Sequence, residues 1–204
     1  MTRNIVEKTK ERYLDSERRH QEILEVAIRL FNDKGYTGAT TAEIARNAGI
    51  SEPILYKHFE NKKALFQECY QSITRELFAA YRLVYKANPG DEIAYLKGVT
   101  DVYIDFVRNN PDKSMFLAHL LSYKNDPDFK DDFRKLMADS IRTVEKVIRS
   151  AQQKGLLKTK IKARFMAAFF VGNYFLALAI KDFVPDEEFN GDDFFELIRM
   201  STDI

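Results

Sequence analysis

Only 8 glycines and 5 prolines punctuate these 204 residues. A many-stranded β fold needs a turn roughly every 8–12 residues, and this chain cannot supply them. Its strong breaks are few: Asn88-Pro89-Gly90-Asp91, Asn109-Asn110-Pro111-Asp112 and Asn125-Asp126-Pro127. Between them apolar residues recur at helical spacing. Ile93, Leu96, Val99, Tyr103 and Phe106 step by three or four along one face. The chain therefore reads as all-α, about nine helices with short links.

The segments have recognisable ends. From Ser16 a helix carries Ile23, Leu24, Ala27, Ile28, Leu30 and Phe31, and it stops at Gly35, a residue suited to the left-handed backbone past a helix end. Residues 1–15, charged and poor in apolar groups, read as an arm leading into it. Thr40-Thr41-Ala42-Glu43 spells a capping box, the Thr40 hydroxyl accepting from the Glu43 amide while the carboxylate reaches back. The helix it opens is short and ends at Gly49. Ser51 caps the next, with Glu52 and Pro53 in a first turn that favours a carboxylate and costs proline no hydrogen bond. Asn61 caps a longer helix running to about Lys86. Further helices are expected over about 91–109, 113–123, 129–154, 165–180 and 192–200.

Composition removes several functional classes. At 45% hydrophobic residues the chain can bury a core. A single cysteine, Cys69, excludes an internal disulfide or a Cys-rich zinc module and fits a reducing, cytoplasmic setting. The N-terminal residues lack the apolar stretch of a signal peptide. The run 165–180 holds one polar side chain, Asn173, but falls short of the ~20 residues of a membrane span; no membrane partner is expected. A helix apolar on every side must be covered all round, either by core alone or by core together with a subunit interface, and the second is expected. There is no G-x-G-x-x-G, Walker A, G-x-S-x-G or H-E-x-x-H, so no catalytic residue, cofactor or metal is expected. His20, His58 and His119 fall in separate segments. Net charge is +1; residues 1–65 hold 12 basic and 10 acidic side chains, and the rest 20 and 21. Any nucleic-acid function must therefore rest on local arrangement rather than on bulk charge.

Such an arrangement stands at 40–59. Two short helices flank a turn at Gly49-Ile50-Ser51, which is helix-turn-helix geometry. Ala45 suits a close crossing, and Ile44, Ile50, Leu55 and Phe59 form a small core. The second helix then offers Glu52, Pro53, Tyr56, Lys57 and His58 outward, as a helix entering a major groove does. A helical hairpin inside an ordinary core shares the same pattern.

Residues 23–66, with the anchors LFNDKGY, the Thr40-Thr41 pair, EIARNAGIS, LYKHF and NKKALF, resemble the DNA-binding domain of TetR-family transcriptional regulators. The resemblance implies a DNA-binding domain over 1–65 and an effector-binding and dimerisation domain over 66–204. It places Thr40 or Thr41 on a phosphate, Ser51, Glu52 and Pro53 in the groove, Tyr56 and His58 on backbone and base edges, and Lys62 on a phosphate. Lys57 is a solvated charge or a phosphate contact. Where the family often has a basic residue and glycine after the serine, this chain has Glu52-Pro53. A carboxylate there can accept from a cytosine amine or cap its own helix, which implies a different operator. Arg12, Arg18 and Arg19 either follow DNA or pair with neighbouring acids.

The family also implies a homodimer through about 162–183 and 191–202, which suits a palindromic double-stranded DNA operator with half-sites about 34 Å apart or a multiple of that. It further implies a repressor released when the 62–86 helix moves as a lever. Tyr103, Phe106, Phe116, His119, Tyr123, Phe169, Asn173 and Tyr174 are candidates to line a site for a small hydrophobic effector, or are simply core. Acyl compounds, aromatic antimicrobials and lactones fit equally. Two rivals stay open: a helical adaptor for protein partners without specific DNA binding, and a DNA-binding protein whose C-terminal domain is filled by side chains.

Overall fold

The computed structural model describes residues 2–185 and 187–202, with side chains for 16–185 and 187–199. Among these residues there is no strand. The helices are α1 Thr2–Gly38, α2 Thr41–Asn47, α3 Glu52–His58, α4 Lys62–Ala87, α5 Glu92–Asn109, α6 Pro111–His119, α7 Lys130–Gln153, α8 Ala163–Ile180 and α9 Gly191–Thr202. Short 3-10 turns, Leu120–Tyr123 and Lys181–Phe183, follow α6 and α8. The all-α expectation holds, and the Asn/Pro/Gly clusters mark helix ends. Two boundaries move: α1 starts at Thr2 rather than at Ser16, and α6 starts at Pro111 rather than near 113, because proline at a first helical position forfeits no bond. The arm expected over 1–15 falls on residues whose side chains lie outside the described set.

The chain divides into two compact units, Met1–Ile73 and Thr74–Ile204, with the boundary inside α4. In the first, Ile23, Leu24, Ala27, Ile28 and Phe31 form the buried face of α1. Phe31 and Tyr36 each meet Phe66 edge-on, with centroids 5.0 and 5.2 Å away. Gly35 breaks α1 with φ +69°, the left-handed value expected there.

In the second unit, α7 lies along α8 and α5 along α9. The start of α9 is fastened to α5 at one point. Lys97 Nζ bridges Asp101 at 2.9 Å and Asp192 at 2.6 Å. Gly191 lies so close that a Cβ on it would stand 2.8 Å from the Asp101 Cα. The Arg108 guanidinium donates to the Phe189 carbonyl just before it.

α8 has two apolar faces. Met166, Ala167, Phe170, Val171 and Ala177 are buried, whereas Phe165, Phe169 and Leu176 are exposed. Together with its 3-10 turn, Ala163–Phe183 is 21 residues, long and apolar enough to cross a membrane by length and composition. That corrects the shorter run read from sequence. The buried face nevertheless packs on α7, as a core helix with one uncovered side does.

Gly191→Ala should push α9 off α5 and destabilise the second unit by about 1–3 kcal/mol, as overpacking does. Urea unfolding followed by helical circular dichroism measures it; an unchanged midpoint would mean that Asp101 yields freely.

Candidate functional site

α2 and α3 are set by their ends. Thr40 Oγ1 accepts the Glu43 amide at 3.2 Å. The Glu43 carboxylate does not return to Thr40; it takes Lys34 Nζ at 2.6 Å, so half of the expected capping box forms. Gly49, at φ +67°, turns the chain, and the amides of Gly49 and Ile50 close α2 by donating to the Arg46 and Ala45 carbonyls at 3.1 and 3.0 Å. Ala45 is buried at the crossing, over a core of Ile44, Leu55 and Phe59. Ile50, expected in that core, is only half-buried.

The outer surface carries Thr40, Ser51, Pro53, Tyr56 and Lys57, all exposed. Tyr56 keeps 46% of its surface in solvent. Thr41 Oγ1 donates to Glu52 Oε1 at 2.6 Å and lies 3.1 Å from the Tyr56 hydroxyl. A hydroxyl has one proton to give, so Tyr56 donates to Thr41. Glu52 therefore takes a role that sequence did not suggest: through Thr41 it ties the starts of α2 and α3 and orients Tyr56. Lys57 has no ion-pair partner among the described residues.

Two expected DNA contacts are engaged elsewhere. Lys62 Nζ donates to the carbonyls of Tyr36 and Ala39, at 2.8 and 3.0 Å, and sits 4.6 Å over the Tyr36 ring. It satisfies carbonyls left open where α1 ends, rather than standing free for a phosphate. His58 is half-buried, its ring centroid 5.8 Å from that of His20. Burial, then His20 and Arg19, pulls its pKa below the ordinary 6.5. His20 stacks on Phe59 at 4.6 Å. Tertiary structure thus joins two histidines that the sequence keeps 38 residues apart. Arg19 pairs with Glu22 at 2.8 Å and Arg18 lies 3.7 Å from it, both on α1. The Arg12 side chain lies outside the described set. Among the described residues no group of three or more His, Cys, Asp or Glu is placed to hold a metal.

The second unit contains a cavity of about 670 Å³, lined mainly by apolar side chains from α4, α5, α7 and α8. That is the size of small-molecule sites, roughly 300–1,000 Å³. Of the eight candidate residues, Tyr103 and Tyr174 line it. Their rings stack at 4.4 Å, and the Tyr103 hydroxyl donates to the Tyr174 carbonyl at 3.1 Å. The other six do not line it. Phe106 and Phe116 are buried in the core. His119 is exposed, and Tyr123 meets Phe129 edge-on. Phe169 faces outward on α8. The Asn173 amide donates to the Phe169 carbonyl of its own helix, 2.8 Å away, and does not line the cavity. Sequence reasoning missed Tyr81, Tyr85, Tyr95, Phe133 and Phe175. Tyr81 and Tyr85, four apart on α4, were the available signal. Burial holds the Tyr81, Tyr103 and Tyr174 phenols well above their ordinary pKa, so they stay neutral donors.

A helix-turn-helix with an exposed second helix is the geometry by which a DNA-binding segment presents its recognition helix. Residues 23–69 match the model described as bacterial regulatory proteins, tetR family. The HTH-type transcriptional regulator AcrR of Shigella flexneri is 32% identical over 96 residues, 47% of this chain and 43% of that protein. The chain spans about half the length of the curated relatives it matches. The fatty acid degradation regulator FadR from Bacillus halodurans superposes with a TM-score of 0.77 at 15% identity, covering 88% of this chain and 94% of that one. AibR, solved in complex with isovaleryl coenzyme A and operator DNA, gives 0.68 at 24% identity over 89% and 97%. Over residues 23–69 the chain thus resembles the DNA-binding segment of the TetR family.

Lys62→Ala should destabilise the first unit by about 1.5–3 kcal/mol, the scale of hydrogen bonds to a charged group; thermal melting of the variant checks it. His58 adds a pH dependence. Because its folded pKa is depressed, the unfolded chain binds more protons between that value and 6.5. Stability should therefore fall as pH drops through that window. Urea midpoints across pH 5 to 7.5 should slope less in His58→Gln; equal slopes would remove His58 as the cause.

Proposed function

We propose that this chain is a ligand-responsive, sequence-specific DNA-binding regulator. In this account it is a homodimeric repressor that leaves a palindromic operator when a small hydrophobic effector binds. The observation that carries the proposal is the exposed face of α3, held by the Thr41–Glu52–Tyr56 ties on a buried base. Ser51, Pro53 and Tyr56 are its groove-facing contacts, Lys57 meets a phosphate, and Thr40 meets another at the start of α2. Thr41 and Glu52 position Tyr56, and His58 and Lys62 support the base from within. The DNA-binding domain covers about 1–65 and the sensing and dimerisation domain about 66–204.

A dimer supplies what one short helix lacks, a second half-site. The exposed Phe165, Phe169 and Leu176 of α8, with Leu197 of α9, offer the apolar surface for it. The cavity supports an effector over a domain filled by side chains. α4 carries Lys62 at its start and cavity-lining Tyr81 further along, so it is a covalent path from one function to the other. The effector must favour an arrangement that mismatches the half-site spacing. Coupling of that kind changes affinity by about 5–150-fold.

Selection from a random duplex library with the purified chain tests this. A palindromic consensus is expected. No enrichment from a folded dimer that mass spectrometry shows to be free of small molecules would contradict it and favour the adaptor. On the selected duplex, Lys57→Ala should lower the salt slope of binding by about one unit.

A further inference from the structure

An apolar effector alone leaves one group beside the cavity unexplained. The Tyr174 hydroxyl oxygen is buried and has no hydrogen-bond partner, although Tyr174 lines the cavity. Buried hydroxyls are almost always bonded to protein, water or ligand. The stacked Tyr103 has already donated its proton to the Tyr174 carbonyl. The Tyr174 phenol is neutral and holds a proton, so what it lacks is an acceptor. The cations that line the cavity, Arg82 and Lys146, are both exposed. An anion buried against Tyr174 would lose its water with no counter-charge at hand. The acceptor that suits Tyr174 is therefore uncharged.

Charge sits at the rim instead, and its open sign is positive. Each lining carboxylate is already engaged: Asp91 accepts the Ala94 amide at 2.9 Å, Glu92 takes Lys154 at 2.8 Å and Ser150 at 2.7 Å, and Asp139 lies 3.4 Å from Arg142. Arg82 and Lys146 have no such partner among the described residues. Resting on the effector role proposed for this cavity, we infer that its ligand is a long apolar molecule with two polar features. One is an uncharged acceptor along its length, an amide, ester or thioester carbonyl that Tyr174 bonds. The other is an anionic group at its outer end, held by Arg82 and Lys146.

Three probes dissect this by direct calorimetric titration of the full chain, without DNA. N-decanoylglycine has chain, amide carbonyl and carboxylate. Tridecanoate keeps the length and the charge but lacks the internal carbonyl. The methyl ester of N-decanoylglycine lacks the charge. N-decanoylglycine should bind about five- to tenfold more tightly than either, the scale of one added hydrogen bond. Tyr174→Phe, which retains the ring, should remove its advantage over tridecanoate. Arg82→Gln with Lys146→Gln should remove its advantage over the ester, an advantage that added salt also erodes. Equal binding of all three probes, an unaffected Tyr174→Phe variant (its hydroxyl then bonding water), or no binding of any probe would overturn the inference. Because no operator enters the measurement, such a result would leave DNA recognition standing. Conversely, tight binding of N-decanoylglycine by a chain that selects no duplex would overturn only the regulator.

Discussion

A helix that stops leaves carbonyls without donors, and α1, broken at Gly35, stops at Gly38. The Lys62 ammonium answers that need from the start of α4, reaching two carbonyls while lying over the Tyr36 ring. A cation at a helix C-terminus also meets the favourable end of its dipole. This one group fixes the relation of α1 to α4, and α2 and α3 are laid on the base so formed. Phe66, one turn beyond Lys62, receives Phe31 and Tyr36 edge-on and closes the same joint with apolar contact.

On that base the exposed face of α3, the proposed recognition surface, is held by short polar ties rather than by bulk charge. Thr41 passes its proton to Glu52 and accepts that of Tyr56. The carboxylate that departs from the family's usual basic residue thereby becomes part of the scaffold. Its negative charge is partly masked where a phosphate backbone would approach, and Lys57 stays open beside it. A nearly neutral chain can still bind DNA this way, because a few placed contacts set register while base edges set specificity.

Much of the fold was legible in sequence because helix ends are local. Thr40, Gly49 and Asn61 act through neighbours within a few residues, and each does what its type suggests. What could not be read depends on long-range meetings. Glu43 had two possible partners, and Lys34, nine residues away, took it. Lys62 looks like a phosphate ligand until the end of α1 is brought to it. In the cavity, spacing shows which aromatics face inward but not whether they meet core or open space. Phe106 and Phe116 found core, whereas Tyr103 and Tyr174 found the cavity. Asn173 looked like a ligand handle, yet it bonds its own helix and does not line the cavity.

In the proposed dimer two copies of α3 lie in successive major grooves. Cleavage from a single tethered site tests it most directly. Cys69 is buried and its thiol is pushed toward the protonated, unreactive form, so Lys57→Cys offers the reactive position for an iron–EDTA tag on the full chain. On a selected duplex, strand cuts should form two clusters related by symmetry and separated by about 34 Å or a multiple of it. A single cluster, or cleavage spread evenly along the duplex, would contradict the account.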